Sequence, residues 1–190
     1  IERTAYQATQ DAHAAMRYLL SKKDIYRIDP DFLFVGGASA GSITAMNLAY
    51  MRNENRPKSS YSSLFAEDLG GLETSGNKLY GKFRIKGVAN MWGAVNELKI
   101  LENSKIPIIS FHGDNDEVVP YAQGYPFMVI GDFKKVLFDE MYGSSCIHER
   151  ALELGIRSRL HTFSGKGHGL YLDKKRNLTD DFYIIRNPIA

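Results

Sequence analysis

The chain has 190 residues, of which 44% are hydrophobic, and this is enough apolar material for one domain with a sizeable core. Its 24 lysine and arginine residues nearly balance 22 aspartate and glutamate residues, and the basic residues are scattered, so no nucleic-acid partner is predicted. No apolar run approaches the roughly 20 residues that cross a bilayer, so no transmembrane segment is predicted either. The single cysteine excludes an intrachain disulfide.

Three elements open the chain. Small and apolar residues recur at helical spacing over residues 4–22, which predicts an amphipathic helix. The continuous apolar run over residues 32–35 is typical of a strand buried on both faces, and a helix is predicted over residues 40–51. The chain begins at Ile1, without Met or a signal-peptide pattern, and almost directly inside a helix. We therefore expect it to be a fragment or a processed product.

Residues 52–83 lose the regular pattern and are predicted to form an irregular excursion or insertion. A helix is predicted over residues 145–154, with Gly155 ending it, whereas residues 121–142 are mixed and residues 177–180 are expected to cap a terminal helix. Three further strands are predicted, at residues 84–91, 106–111 and 157–163. Strands that alternate with helices predict an α/β fold with a mostly parallel sheet.

The most informative motif follows the first predicted strand. Residues 37–41 read G-x-S-x-G, with Ser39 at the centre, and helix-compatible residues follow at once. A strand, a sharp turn and a helix with this spacing form a nucleophile elbow, in which glycines allow the turn that holds the serine hydroxyl clear of the sheet. A serine hydroxyl is a poor nucleophile near neutral pH, so Ser39 needs a base and a group that orients the base.

Two later segments have the character that such groups require. Residues 112–120 read His-Gly-Asp-Asn-Asp-Glu-Val-Val-Pro and directly follow a predicted strand. Residues 164–169 read Ser-Gly-Lys-Gly-His-Gly and directly follow the last strand, with glycines that leave His168 room to reach a pocket. Because the carboxyl ends of parallel strands meet at one edge of a sheet, both segments are expected near Ser39.

Together these motifs resemble an α/β-hydrolase of the carboxylesterase or lipase kind, over roughly residues 10–170. The order Ser39, Asp116, His168 matches that fold, because the acid of the family motif H-G-x-x-D-x-x-V-P falls on Asp116. The resemblance implies that Ser39 attacks an acyl carbonyl, that His168 moves the proton, and that Asp116 fixes the His168 tautomer. It also implies that the N–H of Ala40 is one oxyanion donor, that the substrate is a small-molecule ester and that no cofactor takes part.

Other polar residues near these motifs favour structural roles. Asp114 is expected to bond loop N–H groups, and His112 to be a structural residue beneath that loop. His13 is placed on the polar, solvated side of the first helix, and Cys146 is interpreted as a small buried residue. Trp92, just after a predicted strand, is a candidate substrate-binding residue, with plain core packing equally supported. No histidine pair has i, i+4 spacing and no CxxC occurs, so no metal site is predicted.

The first half of the chain departs from the family pattern. The family's sheet has eight strands, and the four predicted here resemble the last four, so residues 1–190 are interpreted as a single but partial α/β-hydrolase domain. The His-Gly-Gly-Gly segment that often supplies a further oxyanion donor does not occur. Without a flanking strand, residues 32–35 would form an apolar sheet edge. We expect a missing N-terminal segment or a partner chain to complete the sheet.

Three functions remain open on the sequence. The first is a serine carboxylesterase that acts on a small or carbohydrate-linked ester. The second is a serine peptidase of the prolyl-oligopeptidase type, which has similar elbow, acid and histidine motifs. The third is a non-catalytic hydrolase-like binding protein, against which the intact Ser39, Asp116 and His168 set argues.

Overall fold

A computed structural model describes residues 2–173 and 175–189. Long helices alternate with strands along the chain, and short 3-10 turns occupy several of the connections. The helices are α1 (Glu2–Ser21), α2 (Lys23–Tyr26), α3 (Ala40–Tyr50), α4 (Lys134–Leu137), α5 (Ser144–Glu153) and α6 (Asp180–Ile189). No helix among the described residues combines the length and the hydropathy that a membrane span needs.

The described strands form two sheets. Their bounds are β1 (Leu33–Ala38), β2 (Ile85–Met91), β3 (Ala94–Val95), β4 (Ile108–Gly113), β5 (Gln123–Gly124), β6 (Met141–Gly143) and β7 (Ser158–Phe163). A parallel four-stranded sheet has the order β1-β2-β4-β7, and a small antiparallel sheet has the order β3-β6-β5. The four strands predicted from the sequence are those of the parallel sheet, which confirms the α/β fold class.

Helices cover both faces of the parallel sheet. Successive side chains of a strand point to opposite faces of the sheet, so the side chains of Ile108 and Ile109 in β4 lie on different faces. Ile108 packs in one cluster with Met46 of α3 and Ile147 of α5. Ile109 packs in another with Ile185 of α6. The sheet therefore lies between α3 and α5 on one face and α6 on the other.

Strand β1 forms one outer edge of the parallel sheet. Among the described residues it pairs with β2 alone, which leaves the backbone groups along its other side without a strand partner. Phe32 and Phe34 beside this edge are 71% and 65% exposed. An exposed apolar edge of this kind is a template for pairing with another strand.

Residues 52–83 hold only the short 3-10 turns Asn53–Asn55 and Lys58–Ser60 and one isolated bridge. Side chains of α1 bind this segment through its carbonyl groups: Gln10 Nε2 donates to the Leu69 oxygen at 2.7 Å, and Arg17 Nη2 donates to the Ser75 oxygen at 2.5 Å. The segment is therefore fixed against α1 although it has little regular structure.

One strand boundary predicted from the sequence was wrong, and one small sheet was missed. β1 continues to Ala38, three residues past the predicted apolar run, because Gly36 and Gly37 remain in the extended ladder with β2. The sheet of β3, β5 and β6 was not predicted at all, since its strands are two or three residues long and pair across distant parts of the chain.

Candidate active site

Ser39 occupies the sharp turn between β1 and α3. Its φ of 55° and ψ of −125° are strained for a residue with a side chain, and such strain concentrates at functional turns. The turn is held by backbone bonds, because the Ser39 N–H donates to the Met91 oxygen at 2.9 Å and the Ser39 carbonyl accepts from Ser42 at 2.9 Å. This is the geometry predicted for a nucleophile elbow.

Glycine at position 37 makes the turn sterically feasible. A Cβ built on Gly37 would lie 2.3 Å from the carbonyl carbon of Gly41, which is closer than real Cβ contacts. Any side chain at this position would push the first turn of α3 away from the end of β1. Glycine therefore allows the helix to begin directly beside the strand.

Three predicted site residues lie in one hydrogen-bonded series. His168 Nε2 is 2.9 Å from Ser39 Oγ, and His168 Nδ1 is 2.7 Å from Asp116 Oδ2. The carboxylate only accepts when ionised, so Nδ1 carries the proton and Nε2 is free to accept the Ser39 hydroxyl. Ser39 follows β1, Asp116 follows β4 and His168 follows β7, so all three lie at the carboxyl edge of the parallel sheet.

Asp116 is held in a dense set of donors. Its side chain is buried, and Oδ1 accepts the N–H groups of Val118 at 2.8 Å and Val119 at 3.0 Å. Burial alone would raise the pKa of Asp116, but hydrogen bonds from His112, His168 and these two N–H groups outweigh it and hold the pKa well below its usual range. The group is therefore an ionised carboxylate at neutral pH.

Ala40 is the first residue of α3. The N–H groups of the first turn of a helix have no partner within the helix, and the helix dipole adds partial positive charge there. The Ala40 N–H therefore belongs to a set of donors that suits an oxyanion beside Ser39.

Trp92 follows β2 and is only 1% exposed. Its ring stacks on Tyr171 with centroids 5.3 Å apart, and it meets the His168 ring edge-on at 6.4 Å. This position favours core packing, the alternative to substrate contact, and places the indole as a support beside His168.

Asp114 connects two of the loops that carry site residues. Its Oδ1 accepts the N–H of Gly165 at 2.6 Å, which agrees with the expected structural role. His112 is fully buried, and its ring contacts Ser144, Val119 and Asp116.

The prediction that His13 is solvated was wrong. Its ring packs against Phe83 with centroids 5.3 Å apart, and its Nε2 atom is buried without a described partner. Burial, helped by the charge of Arg17, lowers the pKa of His13 to about 4. His161 Nε2 also lacks a partner among the described residues, while its ring stacks on Phe111 at 5.0 Å. Cys146, interpreted as buried, is half-buried within α5.

Sequence reasoning missed a group of buried polar residues behind the site. Asn90 of β2 and Ser110 of β4 are fully buried, although neighbouring strand positions are apolar. A polar residue inside a buried strand is the signal that could have identified them. Ser42 of α3 and Ser144 of α5 gave no such signal, because serine is common near a helix start.

The structure offers little support for other sites near these loops. No three His, Cys, Asp or Glu side chains among residues 2–173 and 175–189 come together as a metal site. A cavity of about 820 Å³ lies at the opposite edge of the sheet, where Ile85 begins β2 and Ile106 precedes β4. It is therefore remote from Ser39 and His168.

Comparison with known proteins identifies the family. Residues 2–106, more than half of the chain, match BD-FAE, an α/β-hydrolase-type esterase family. No curated protein matches the chain.

Several solved structures share the fold. A truncated carbohydrate esterase from gut microbiota is 21% identical, with a TM-score of 0.53 over 84% of this chain and 60% of that protein. Thermogutta terrifontis esterase 2 phosphorylated by paraoxon is 16% identical, with a TM-score of 0.59 over 93% and 58%. The α/β-hydrolase MGS-M1 from a Medee basin deep-sea metagenome library is 19% identical, with a TM-score of 0.51 over 93% and 59%.

The chain thus spans about 60% of the length of each of these proteins. At these identities the likeness concerns the fold, and the family match rests on the sequence of residues 2–106. The chain belongs to the BD-FAE family of α/β-hydrolase-type esterases.

Proposed function

We propose that this chain carries the catalytic centre of a serine hydrolase that cleaves carboxylic esters through an acyl-enzyme intermediate. The observation that carries the proposal is the hydrogen-bonded series from Ser39 Oγ through His168 to Asp116, with separations of 2.9 and 2.7 Å. Separations of this size are those that proton transfer requires. Membership of an esterase family supports ester bonds as the target.

In the first half of the reaction, Ser39 Oγ attacks the carbonyl carbon of the ester while its proton passes to Nε2 of His168. The oxyanion that forms accepts a hydrogen bond from the Ala40 N–H, and loss of one such donor typically costs about 3 kcal/mol of transition-state stabilisation. The carbon–oxygen bond to the alcohol then breaks, and His168 gives its proton to the leaving oxygen. The products are a free alcohol and acylated Ser39.

In the second half, a water molecule attacks the acyl carbon and loses its proton to His168. The bond to Ser39 breaks, Ser39 Oγ takes the proton back, and a carboxylic acid leaves. Asp116 accepts the Nδ1–H of His168 in both halves, which keeps the imidazole in the required tautomer and stabilises its charged form.

We propose a small or carbohydrate-linked ester as the substrate. The fold is shared with a protein described as a carbohydrate esterase, which supports this class. Trp92 enters the proposal through its edge contact with His168, as a candidate substrate-binding residue.

We also propose that a further segment of the protein, or a partner chain, pairs with β1 and supplies the second oxyanion donor. The exposed edge of β1, the 65% exposure of Phe34 and the coverage of only about 60% of related structures support this.

The test compares two chromogenic substrates, p-nitrophenyl acetate and a proline p-nitroanilide, in the presence and absence of a serine-directed fluorophosphonate. We expect ester turnover, labelling at Ser39, and loss of both in Ser39→Ala. The exposed Ser62→Ala variant is the matched control and should retain both. Preferential turnover of the anilide would favour a peptidase, and a folded full-length protein that neither turns over nor is labelled would favour a binding protein.

A further inference from the structure

Asp116 Oδ2 lies within 3.3 Å of two histidines, of which the proposed mechanism uses one. His168 approaches Oδ2 from the loop after β7, and His112 Nε2 lies 3.3 Å from the same oxygen at the end of β4. The side chains of His112 and Asp116 are both fully buried. The second histidine therefore contacts the acid of the proposed triad without contact to solvent.

The partners of His112 determine where its proton lies. Nε2 is 3.2 Å from the Val119 carbonyl oxygen and 3.3 Å from the Asp116 carboxylate, and both of these groups only accept. Nε2 therefore carries a hydrogen, which it donates to the Val119 carbonyl while it faces the Asp116 carboxylate. In the neutral ring Nδ1 must then accept, and it does so from the Ser144 hydroxyl at 2.7 Å.

The same logic extends the series away from the site. Asn90 Nδ2 donates to Ser144 Oγ at 3.0 Å and to Ser110 Oγ at 3.0 Å. Asn90 Oδ1 accepts from the Ser42 hydroxyl at 2.5 Å and from the Gly93 N–H at 3.2 Å. Each group thus donates to the next one along the series, from Ser42 to Asn90, from Asn90 to Ser144 and from Ser144 to His112. The series ends where His112 faces Asp116.

Both ends of this series lie at the proposed catalytic centre. Ser42 stands one helical turn after Ser39, and its N–H donates to the Ser39 carbonyl at 2.9 Å. Two hydrogen-bonded arms therefore leave the nucleophile elbow and converge on Asp116, one through His168 and one through His112. We call the arm of Ser42, Asn90, Ser144 and His112 the buried arm.

Burial makes the buried arm costly unless every member is paired. All four members are fully buried: Ser42, Asn90, Ser144 and His112. A buried polar group without a partner loses its hydrogen bonds to water and gains none in the protein. Apolar side chains of similar volume could fill the same space with less risk. A set that is buried, completely paired and directed at one carboxylate indicates that the orientation of that carboxylate matters.

We propose that His112 is a positioning residue for Asp116, held in one tautomer by Ser144 and Asn90, which aims Oδ2 at Nδ1 of His168. This inference rests on the proposed esterase function. Oδ2 divides its negative charge between the two histidines, so His112 also limits how strongly Asp116 stabilises protonated His168. His112 does not touch the reacting atoms.

The test measures kcat/KM for p-nitrophenyl acetate against pH in the full chain, with wild type, His112→Phe and His112→Gln. His112→Phe keeps a planar ring but donates nothing to Asp116. We expect kcat/KM at the optimum to fall by about ten- to a hundredfold. The acid limb should move to higher pH, because Oδ2 then concentrates its charge on His168. His112→Gln restores a donor and should recover much of both changes.

Few other titratable groups lie close enough to affect the acid limb of the kcat/KM profile. Described contacts bring the titratable His168 and His112 to Asp116, and the Tyr121 ring packs edge-on against His112 with centroids 5.6 Å apart. Tyr121→Phe keeps this ring and should leave the acid limb in place. The downfield proton NMR signal of the His168 Nδ1–H provides an independent readout and should shift in His112→Phe.

Ser144→Ala provides a second route if His112→Phe unfolds. It removes the hydroxyl that fixes the tautomer and should give a smaller change in the same direction. His161→Phe replaces a strand histidine that has no contact with the triad and should behave as wild type.

Folded His112→Phe and Ser144→Ala proteins with kcat/KM within about twofold of wild type and an unmoved acid limb would overturn the positioning role. That outcome leaves the esterase function intact. The proposed function fails separately if wild type itself shows no ester turnover and no fluorophosphonate labelling.

Discussion

The carboxylate of Asp114 accepts the N–H of Gly165 at 2.6 Å, so the loop that carries Asp116 is bonded directly to the loop that carries His168. The two acidic residues are two positions apart in the sequence and have different contacts. Asp116 contacts the imidazole of His168, and Asp114 holds the backbone that presents it.

This division predicts opposite results for two similar substitutions. Asp116→Asn should lower kcat by about 10⁴-fold, because the amide no longer favours the tautomer in which His168 Nε2 accepts a proton. Asp114→Asn keeps an acceptor oxygen for Gly165 and should change kcat by less than about tenfold. Steady-state ester hydrolysis by both purified variants measures the difference, and the reverse ranking would assign the triad acid to Asp114.

His13 should make stability depend on pH in a defined window. Its folded pKa is lowered to about 4 by burial, from a value of 6.5 in the absence of that environment. Between these values the unfolded chain binds a proton at His13 that the folded chain does not bind. The free energy of unfolding therefore rises with pH between about 4 and 6.5, and above 6.5 His13 no longer lowers it.

His13→Leu keeps an apolar contact with Phe83 and removes the titration. Urea unfolding at about pH 5 and about pH 7.5 should show a smaller pH difference in the free energy of unfolding for His13→Leu than for wild type. His148→Gln, in a different helix, should retain the wild-type difference. An equal difference in all three proteins would mean that His13 is accessible to protons in the folded chain.

The exposed edge of β1 should cause self-association in the isolated chain. Phe34→Lys places a charge on an exposed position of this edge strand, and charges on edge strands suppress pairing. Sedimentation velocity over a range of concentrations should show less association for Phe34→Lys than for wild type. Phe65→Lys is the matched control, because Phe65 is 92% exposed but lies in the segment of residues 52–83. If both variants behave alike, general surface apolarity and not the β1 edge drives association.

Two glycines of the elbow should differ sharply in their tolerance of alanine. A Cβ on Gly37 meets backbone atoms of α3 at 2.3 Å, whereas a Cβ on Gly41 meets nothing within 4 Å. Gly37→Ala should destabilise the fold by about 1–3 kcal/mol. Gly41→Ala should stabilise it by up to about 1 kcal/mol, since alanine is the better helix former. Chemical denaturation of both variants measures this, and a similar loss in both would refute the steric account.

The sequence predicts those elements well whose hydrophobic residues recur at a regular spacing. α1 and β2 follow from spacing alone. The pairing of Ala94 with Gly143 could not be predicted, since a strand of two residues has no period and its partner lies far along the chain. His13 was misplaced for a related reason. Helical spacing identifies the polar face of α1, but it cannot show that Phe83 from another segment covers that face.

The site divides in the same way. Ser39, Asp116 and His168 each follow a predicted strand within a recognisable motif, so the sequence brings them to one sheet edge. The buried arm as a set has no motif, although His112 begins the motif that contains Asp116. Its four members come from α3, β2, α5 and β4 and meet only in the packed core. Only three-dimensional structure shows that these residues share hydrogen bonds.

The distance along the chain between Ser39 and His168 has a consequence for biosynthesis. The two hydrogen-bonded residues are 129 positions apart, and contacts of such long range form late because most of the chain must be ordered first. A ribosome synthesises the elbow 129 residues before it reaches the histidine loop. In the proposed chemistry, Ser39 of the growing polypeptide therefore has no base to accept its proton. Its hydroxyl becomes a nucleophile only when β7 joins the sheet and brings His168 to it.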